Sequence, residues 1–168
     1  MCIRDSLGND LNEAPTNLLI SRTSFDENIT AGTVIGTLSS IDEDLGDSHI
    51  YSLVSGTGSV DNESFAISGN KLKIIDSPDF EIKSSYSLRL QTKDQNGLLI
   101  EKPIILQVND LSEGPSDLSF SASSFNENIP AGSVVASLTS SDEDFDDSHT
   151  YKLVTGFGSE DNRYFEIS

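Results

Sequence analysis

The stretch SIDEDLGDSHIYSLVSGTGS, residues 40–59, occurs again as SSDEDFDDSHTYKLVTGFGS at residues 140–159. From Asn9 onward the two copies align without a gap at an offset of 100 residues, and 34 of the 60 aligned positions are identical. A period of this length is too long for a solenoid repeat and matches the size of a separate domain in a tandem array. The sequence therefore predicts one complete domain followed by the first half of a second copy.

Matching segments mark the boundaries of these repeats. NDLNEAP at residues 9–15 corresponds to NDLSEGP at residues 109–115, and we interpret both segments as linkers. Repeat 1 then covers residues 16–108, and the N-terminal half of repeat 2 covers residues 116–168. The opening hexapeptide MCIRDS holds the only Cys and the only Met. Read back into codons, it is compatible with a transposon end used in sequencing libraries. We therefore interpret residues 1–8 as a non-native leader.

Apolar and polar residues alternate throughout repeat 1, a pattern that is typical of β-strands rather than helices. About seven short strands are predicted, separated by Gly, Asn, Asp and Ser turns: one near Leu18–Ile20, and then TVIGTLSS, HIYSLV, SFAIS, NKLKIID, YSLRLQT and PIILQVND. In TVIGTLSS, the residues predicted to alternate on one face are Val34, Gly36 and Leu38. The segment SPDFEIKSS is compatible with one turn of helix. This spacing predicts an all-β fold of the β-sandwich type.

The charge balance excludes several classes of function. Asp and Glu total 28 against 10 Lys and Arg, for a formal net charge of -18. Binding to nucleic acid or to an anionic membrane surface requires a basic surface, so neither is expected. No apolar run is long enough to span a bilayer. The sequence shows no nucleophile–base pair, phosphate-binding glycine loop or paired catalytic carboxylates, so we predict that the chain is not an enzyme.

Four acidic clusters lie outside the alternating segments: FDENI, DEDLGD, PDFE and NDLSEGP. Calcium takes six to eight oxygen ligands, which carboxylates and carbonyls in bent loops can supply. One His per repeat and a single Cys cannot build a zinc site. DEDLGD is not an EF-hand, because Asp47 and Leu53 stand where that loop needs Gly and Glu. The clusters predict calcium binding.

Other residues of the repeated stretch receive structural interpretations. Asp47 and Asp147 are interpreted as turn residues. His49 and His149 are interpreted as strand residues that pack beside the tyrosines two positions further on. None of these four residues is predicted to bind a metal.

The order of the acidic motifs resembles that of cadherin repeats. That family shows xEN, then DxDxG with a downstream Tyr, then LD(Y/F)E, AxDxG and DxNDNxP. Here the corresponding segments read DEN, DEDLGDSHIYSL, PDFE, LQTKDQNG and VNDLSEGP. The chain is most similar to the cadherin-like tandem repeats of very large bacterial surface proteins. The resemblance covers repeat 1 and the available part of repeat 2, and it implies a Greek-key sandwich outside the cell with calcium at each junction.

The resemblance also implies two groups of calcium ligands. At the junction between the repeats they are Glu27, Asp79 and Glu81 from repeat 1, Asp110 and Glu113 from the linker, and Asp142 and Asp144 from repeat 2. At the head of repeat 1 they are Asp10, Asn12, Glu13, Asp42, Asp44 and Asp94. The second linker departs from the family pattern, with Ser112 in place of Asn and Glu113 in place of Asp. The number of ions per junction therefore stays open.

The predicted function is therefore that of a repeat that contributes to cell adhesion and that calcium makes rigid. The predicted partners are the neighbouring repeats of the same chain, with another cell-surface protein as a further candidate. The alternative is a passive stalk that carries a distant functional domain. Cadherins that swap strands use a Trp anchor, and the absence of Trp here favours the stalk over a homophilic mechanism. A sugar-binding role would need an exposed aromatic platform, which the sequence does not indicate.

Overall fold

The computed structural model describes residues 11–168. It divides into two compact units, Met1–Leu111 and Ser112–Ser168, which are described separately. The predicted leader and the predicted ligand Asp10 lie outside the described residues. Within residues 11–168, no helix combines the length and apolar character needed to cross a membrane.

The described part of the first unit is a sandwich of two four-stranded sheets. One sheet has the order β1-β3-β6-β5 and the other the order β2-β8-β7-β4. The chain therefore crosses between the sheets at each step from β1 to β5 and again from β6 to β7, whereas β5–β6 and β7–β8 are neighbours within a sheet. Among the described strands, only β2 pairs in parallel, with β8. The predicted all-β sandwich is confirmed. The strands are β1 (Asn17–Ile20), β2 (Ser24–Asp26), β3 (Val34–Ile41), β4 (Ile50–Leu53), β5 (Phe65–Ser68), β6 (Lys71–Ile74), β7 (Ser85–Lys93) and β8 (Leu99–Asn109).

Residues 11–111 form eight strands, one more than predicted. The extra strand is β2, because the first segment of the domain forms two short strands rather than one. β1 joins one sheet and β2 joins the other. With three residues, β2 is too short to show a period of two in the sequence. This split matters for the site, because β2 leads directly into Glu27.

The core lies between the two sheets and centres on three aromatic rings. Phe65 packs edge-on against Phe25 and Tyr86, with ring centroids 6.3 and 5.2 Å apart. Such arrangements are favoured by the ring quadrupoles. Alternation in YSLRLQT predicts Tyr86, Leu88 and Leu90 on the inward face of β7, and the burial of all three confirms it. The other buried apolar residues are Leu18, Ile35, Leu38, Leu72, Ile74, Leu106 and Val108.

The shared face predicted for Val34, Gly36 and Leu38 in β3 is wrong at Val34. Val34 is 42% exposed, whereas Ile35 is 3% exposed and belongs to the core. The pairing with β6 shifts register between Val34 and Gly36, which indicates a β-bulge. A bulge adds one residue to the strand, so alternation counted from Val34 places the wrong side chain inside.

The segment SPDFEIKSS, which is compatible with one turn of helix, forms a hydrogen-bonded turn rather than a helix. The main-chain N–H of Lys83 donates to the carbonyl of Asp79 at 2.9 Å, but no helix forms there. A short 3-10 helix occurs instead at Asn62–Ser64, before β5. The turn at Asp79 places this carboxylate at the end of the sandwich where Glu27 lies.

The second unit repeats the first strand pair of the first unit. β9 (Asp117–Phe120) pairs with β10 (Leu138–Ser141) in the register of β1 and β3, offset by 100 residues. The copies of β4 and β5 are not strands here. In the first unit those strands pair with β7 and β6, whose counterparts are not among the residues of the second unit. With about half of its strands missing, the second copy is expected to leave Phe165 and Ile167 without partners. They are 43% and 40% exposed, but the ring of Phe165 packs edge-on against Phe125 with centroids 6.1 Å apart, so the expectation is wrong for Phe165.

Candidate metal sites

One group of carboxylates lies at the end of the first unit where β2 finishes. Oxygens of Glu27, Asp79 and Glu81 all lie within 4.8 Å of one another. We call these three residues the lower acidic cluster. Oxygens of Glu81 and Asp110 are also within 4.8 Å of each other. All four residues are predicted to belong to one ligand group, and the first unit brings them together.

Glu27 is the fixed point of the lower acidic cluster. Its side chain is almost fully buried, and its two oxygens accept hydrogen bonds from the main-chain N–H groups of Phe80 and Leu111 at 2.7 and 2.8 Å. The next residue, Asn28, has a φ of 56° and donates its N–H to the carbonyl of Pro78. Asn tolerates this left-handed conformation better than most residues. The turn therefore directs Glu27 inward, towards the PDFE segment.

A second group of carboxylates lies in the loops that follow β3 and β7. Oxygens of Asp42, Asp47 and Asp94 lie within 4.8 Å of one another. We call these three residues the upper acidic cluster. Like charges at this distance repel, and burial strengthens the repulsion. The arrangement is therefore suited to a bound cation.

Asp94 is the buried member of the upper acidic cluster, and the loop before β8 folds around it. One of its oxygens accepts N–H donors from Asn96, Gly97 and Leu98, and the other accepts the side-chain amide of Asn12 at 2.8 Å. Burial opposes ionisation, but these hydrogen bonds outweigh it, and the pKa of Asp94 is lowered. Asp94 is thus held as a carboxylate.

The linker before β1 is fastened to the same loops. The main-chain N–H of Glu13 donates to Asp44 Oδ2 at 2.7 Å, and the side chain of Asn96 donates to Asn12 Oδ1. The N–H of Asp44 in turn donates to Asp42 Oδ1 at 3.2 Å. Five of the six residues predicted at the head of repeat 1 are therefore part of one connected network.

Asp47 joins the upper acidic cluster although it was predicted to be a turn residue. Its Oδ1 accepts a hydrogen bond from Gln95, whereas its Oδ2 is shielded from solvent and has no hydrogen-bond partner among the described residues. Burial and the nearby carboxylates of Asp44, Asp42 and Asp94 raise the pKa of Asp47. A sequence signal for this role existed, since Asp147 repeats it in register.

The second unit carries the same arrangement at its own head. The N–H of Glu113 donates to Asp144 Oδ2 at 2.7 Å, and the N–H of Asp144 donates to Asp142 Oδ1 at 3.2 Å. A hydrogen bond from His149 lowers the pKa of Asp142 against the opposing effect of burial. The geometry of the linker and the DxD motif is thus a property of the repeat.

The histidines do not lie in strands, so their interpretation as strand residues is wrong. His49 precedes β4, and its Nε2 lies 2.9 Å from Asp42 Oδ2. In the second unit Nε2 of His149 lies 2.7 Å from Asp142 Oδ2. The tyrosines instead bond to β3 and β10, through Ser40 and Ser140.

The ligand chemistry of both clusters fits calcium better than a softer metal. Carboxylate, amide and carbonyl oxygens are the donors available, and hard oxygen ligands suit calcium or magnesium. Asp47 Oδ2, which is buried and has no hydrogen-bond partner within residues 11–168, is an acceptor that a cation in the upper acidic cluster would satisfy. In the lower acidic cluster Glu27, Asp79 and Glu81 offer the same kind of donor.

Comparison with known proteins agrees with the fold. No protein-family model matches the chain. Protocadherin Fat 4 from human is 31% identical over 129 residues, and its mouse counterpart is 33% identical over 131 residues; each match covers 71% of this chain. The chain spans only 2% of the length of these curated relatives.

Solved structures give the same picture. Human protocadherin-24 EC1-2 superposes with a TM-score of 0.60 at 22% identity, covering 79% of this chain and 60% of that one. The extracellular cadherin domains 3–6 of protocadherin gamma B2 give a TM-score of 0.54 at 18% identity, covering 76% and 31% of the two chains. At these identities the likeness establishes the fold.

Proposed function

The chain contains a cadherin-like domain, and from this premise we propose that it is an extracellular repeat whose acidic ends bind calcium and become rigid when they do. The location outside the cell agrees with the matched structures, several of which are extracellular cadherin domains. The bacterial source suggested by the sequence stays a prediction, since the curated relatives are from human and mouse. The absence of enzymatic activity likewise stays a prediction.

The observation that carries the proposal is the convergence of carboxylates in the upper acidic cluster. Asp42, Asp47 and Asp94 come from two loops that are far apart in sequence, and Oδ2 of Asp47 has no hydrogen-bond partner in the part of the chain that the structure describes. A cation would offset their mutual repulsion and join the loop after β3 to the loop after β7. Extracellular calcium modules of this kind bind at about 10⁻⁴–10⁻³ M.

The linkers transmit this effect along the chain. In the first unit the linker contacts both loops through Asn12 and Glu13, so an ion that orders the loops also orders the linker. At the junction between the repeats we propose that Glu27, Asp79, Glu81, Asp110 and Glu113 act with Asp142 and Asp144. That ligand set rests on the motif order and on the separate geometry of each unit. A rigid junction fixes the angle between neighbouring repeats.

Two biological roles use such rigidity. In an adhesion repeat, fixed angles present a distant recognition surface at a defined place, whereas in a stalk they provide only length. The adhesive role is supported by the match to protocadherins, and the absence of Trp favours the stalk over strand swapping. The partners proposed are neighbouring repeats of the same chain and another cell-surface protein.

Calcium titration of the full chain by calorimetry, with thermal melts, tests the proposal. Calcium at ten times its dissociation constant should stabilise the protein by about 1.4 kcal/mol. For a domain of this size the melting temperature should then rise by about 5–10 °C. Magnesium at equal ionic strength controls for screening. No binding heat and no thermal shift would show that the clusters are only solvated acidic loops.

Two sets of variants locate the sites. Asp42→Asn with Asp94→Asn should remove binding at the upper acidic cluster, and Asp142→Ala with Asp144→Ala should remove binding at the head of the second unit. The matched control is Glu63→Gln with Glu160→Gln, which removes two exposed carboxylates outside both clusters. Small-angle scattering with and without calcium then measures whether binding narrows the distribution of particle dimensions.

A further inference from the structure

The same histidine contact recurs at the heads of both units. Nε2 of His49 lies 2.9 Å from Oδ2 of Asp42, and Nε2 of His149 lies 2.7 Å from Oδ2 of Asp142. In each copy the two residues are seven positions apart in the sequence. Both aspartate side chains are at most 5% exposed, and the His49 side chain is 12% exposed. Both contacts are partly buried and join the two ends of the loop, so they differ from ion pairs on the surface.

The direction of the hydrogen bond follows from the chemistry of the two groups. An ionised carboxylate can only accept, so the imidazole donates through Nε2–H. Oδ1 of the same aspartate accepts the N–H of Asp44 in the first unit and of Asp144 in the second. Both oxygens of Asp42 and Asp142 are therefore held by donors, and the orientation of each carboxylate plane is fixed.

We propose that His49 and His149 are positioning residues that fix the first aspartate of each DxD pair in the orientation in which it binds a cation. The inference rests on the calcium sites proposed above. The loop DEDLGDSH has no strand pairing between residues 42 and 49, so without this bond Asp42 would keep the N–H donor of Asp44 on Oδ1 and lose its donor on Oδ2. Groups that orient a metal ligand in this way typically change metal affinity by about 10–100-fold when they are removed.

The test uses the full chain at about pH 8, above the usual pKa of His, with calcium as the probe. His49→Leu with His149→Leu keeps the side-chain volume and removes both donors. His49→Gln with His149→Gln places an amide N–H near the position of Nε2. We expect calcium affinity to fall about tenfold or more in the leucine pair and to stay within about threefold of wild type in the glutamine pair. Melts without calcium check that both variants fold, and Ser48→Ala with Ser148→Ala is the control for the same loops.

The outcomes separate this inference from the proposed function. If the wild-type chain binds calcium and the leucine pair binds it equally well, the positioning role is overturned while the calcium sites stand. Equal losses in the leucine and glutamine pairs would show that the ring is needed for packing, which also overturns the role assigned to the donor. If wild type does not bind calcium, the proposed function fails, and this inference fails with it.

Discussion

Glu27 Oε1 accepts a hydrogen bond from the main-chain N–H of Leu111 at 2.8 Å, which joins the end of β2 to the segment that follows β8. The second oxygen of Glu27 accepts the N–H of Phe80 at 2.7 Å. A single buried carboxylate therefore ties together three segments of the first unit. Its buried charge is stabilised by these donors, and a cation in the lower acidic cluster would add to that stabilisation.

Glu27→Ala should destabilise the first unit even without calcium. Two main-chain N–H groups lose their acceptor, and an unsatisfied buried donor costs about 1–3 kcal/mol. We expect a loss of about 2 kcal/mol in the free energy of unfolding, measured by urea denaturation in the presence of a chelator. Glu63→Ala removes an exposed carboxylate and should change the stability by less than about 0.5 kcal/mol. Equal effects of the two changes would contradict the anchoring role of Glu27.

Phe65→Ala and Phe165→Ala change the same position in the two repeats and should differ widely. Phe65 is 4% exposed and packs against Phe25 and Tyr86, whereas Phe165 is 43% exposed and packs against Phe125. Removing a buried aromatic ring costs about 3–5 kcal/mol, and we expect that loss only for Phe65→Ala. The expected loss for Phe165→Ala is below about 1 kcal/mol. Urea unfolding followed by circular dichroism measures both, and similar losses would show that the second unit has a closed core.

The contrast between these two phenylalanines shows what the sequence could and could not predict about the fold. Alternation in β7 identified Tyr86, Leu88 and Leu90 as core residues, because both neighbouring strands keep a regular register there. In β3 the bulge near Gly36 breaks the count, and a bulge leaves no signature in the alternation itself. Burial of a residue in the second unit depends on whether partner strands are present. The local pattern of apolar residues cannot reveal their presence.

The site was predictable as a set of motifs rather than as a geometry. The order of the acidic segments led to Asp42 and Asp94, which the structure brings together, and to Glu27 with Asp79 and Glu81. Asp47 was missed because an Asp after Gly in a loop is so common in turns that its spacing carries little information. His49 was missed because alternation extended β4 by one residue, although its recurrence as His149 was visible.

Gly58→Ala should cost more stability than Gly32→Ala, although the two glycines have nearly the same backbone conformation. Their φ values are 84° and 83°, so each substitution places an alanine in the left-handed region, at a cost of about 1–2 kcal/mol. A Cβ on Gly58 would also lie 3.0 Å from Cβ of Pro103, whereas a Cβ on Gly32 meets nothing within 4 Å. We expect the crowding at Gly58 to add about 1 kcal/mol in urea unfolding. Equal losses would indicate that the loop before Asn62–Ser64 shifts freely away from β8.

Asp61→Asn should reduce stability at neutral pH and have no effect in strong acid. Asp61 accepts hydrogen bonds from Lys83 Nζ and from the N–H of Ser87, both at 2.7 Å. Burial opposes ionisation, but these two donors outweigh it, and the pKa of Asp61 is lowered from 3.8. A lowered pKa in the folded state means that ionised Asp61 stabilises the fold above its unfolded pKa of about 3.9, and that this stabilisation is lost as pH falls through the folded value.

The wild-type protein and the Asp61→Asn variant should therefore differ by about 1 kcal/mol between about pH 5 and 7, because Lys83 is partly exposed and its ion pair is screened. The difference should shrink below about pH 4, as Asp61 of the wild-type protein takes up its proton. Urea unfolding across this range measures the difference. Asp161→Asn is the matched control, since the second unit holds no counterparts of Lys83 and Ser87. A difference that persisted unchanged to pH 2 would mean that the carboxylate charge contributes nothing and that the substitution acts through packing alone.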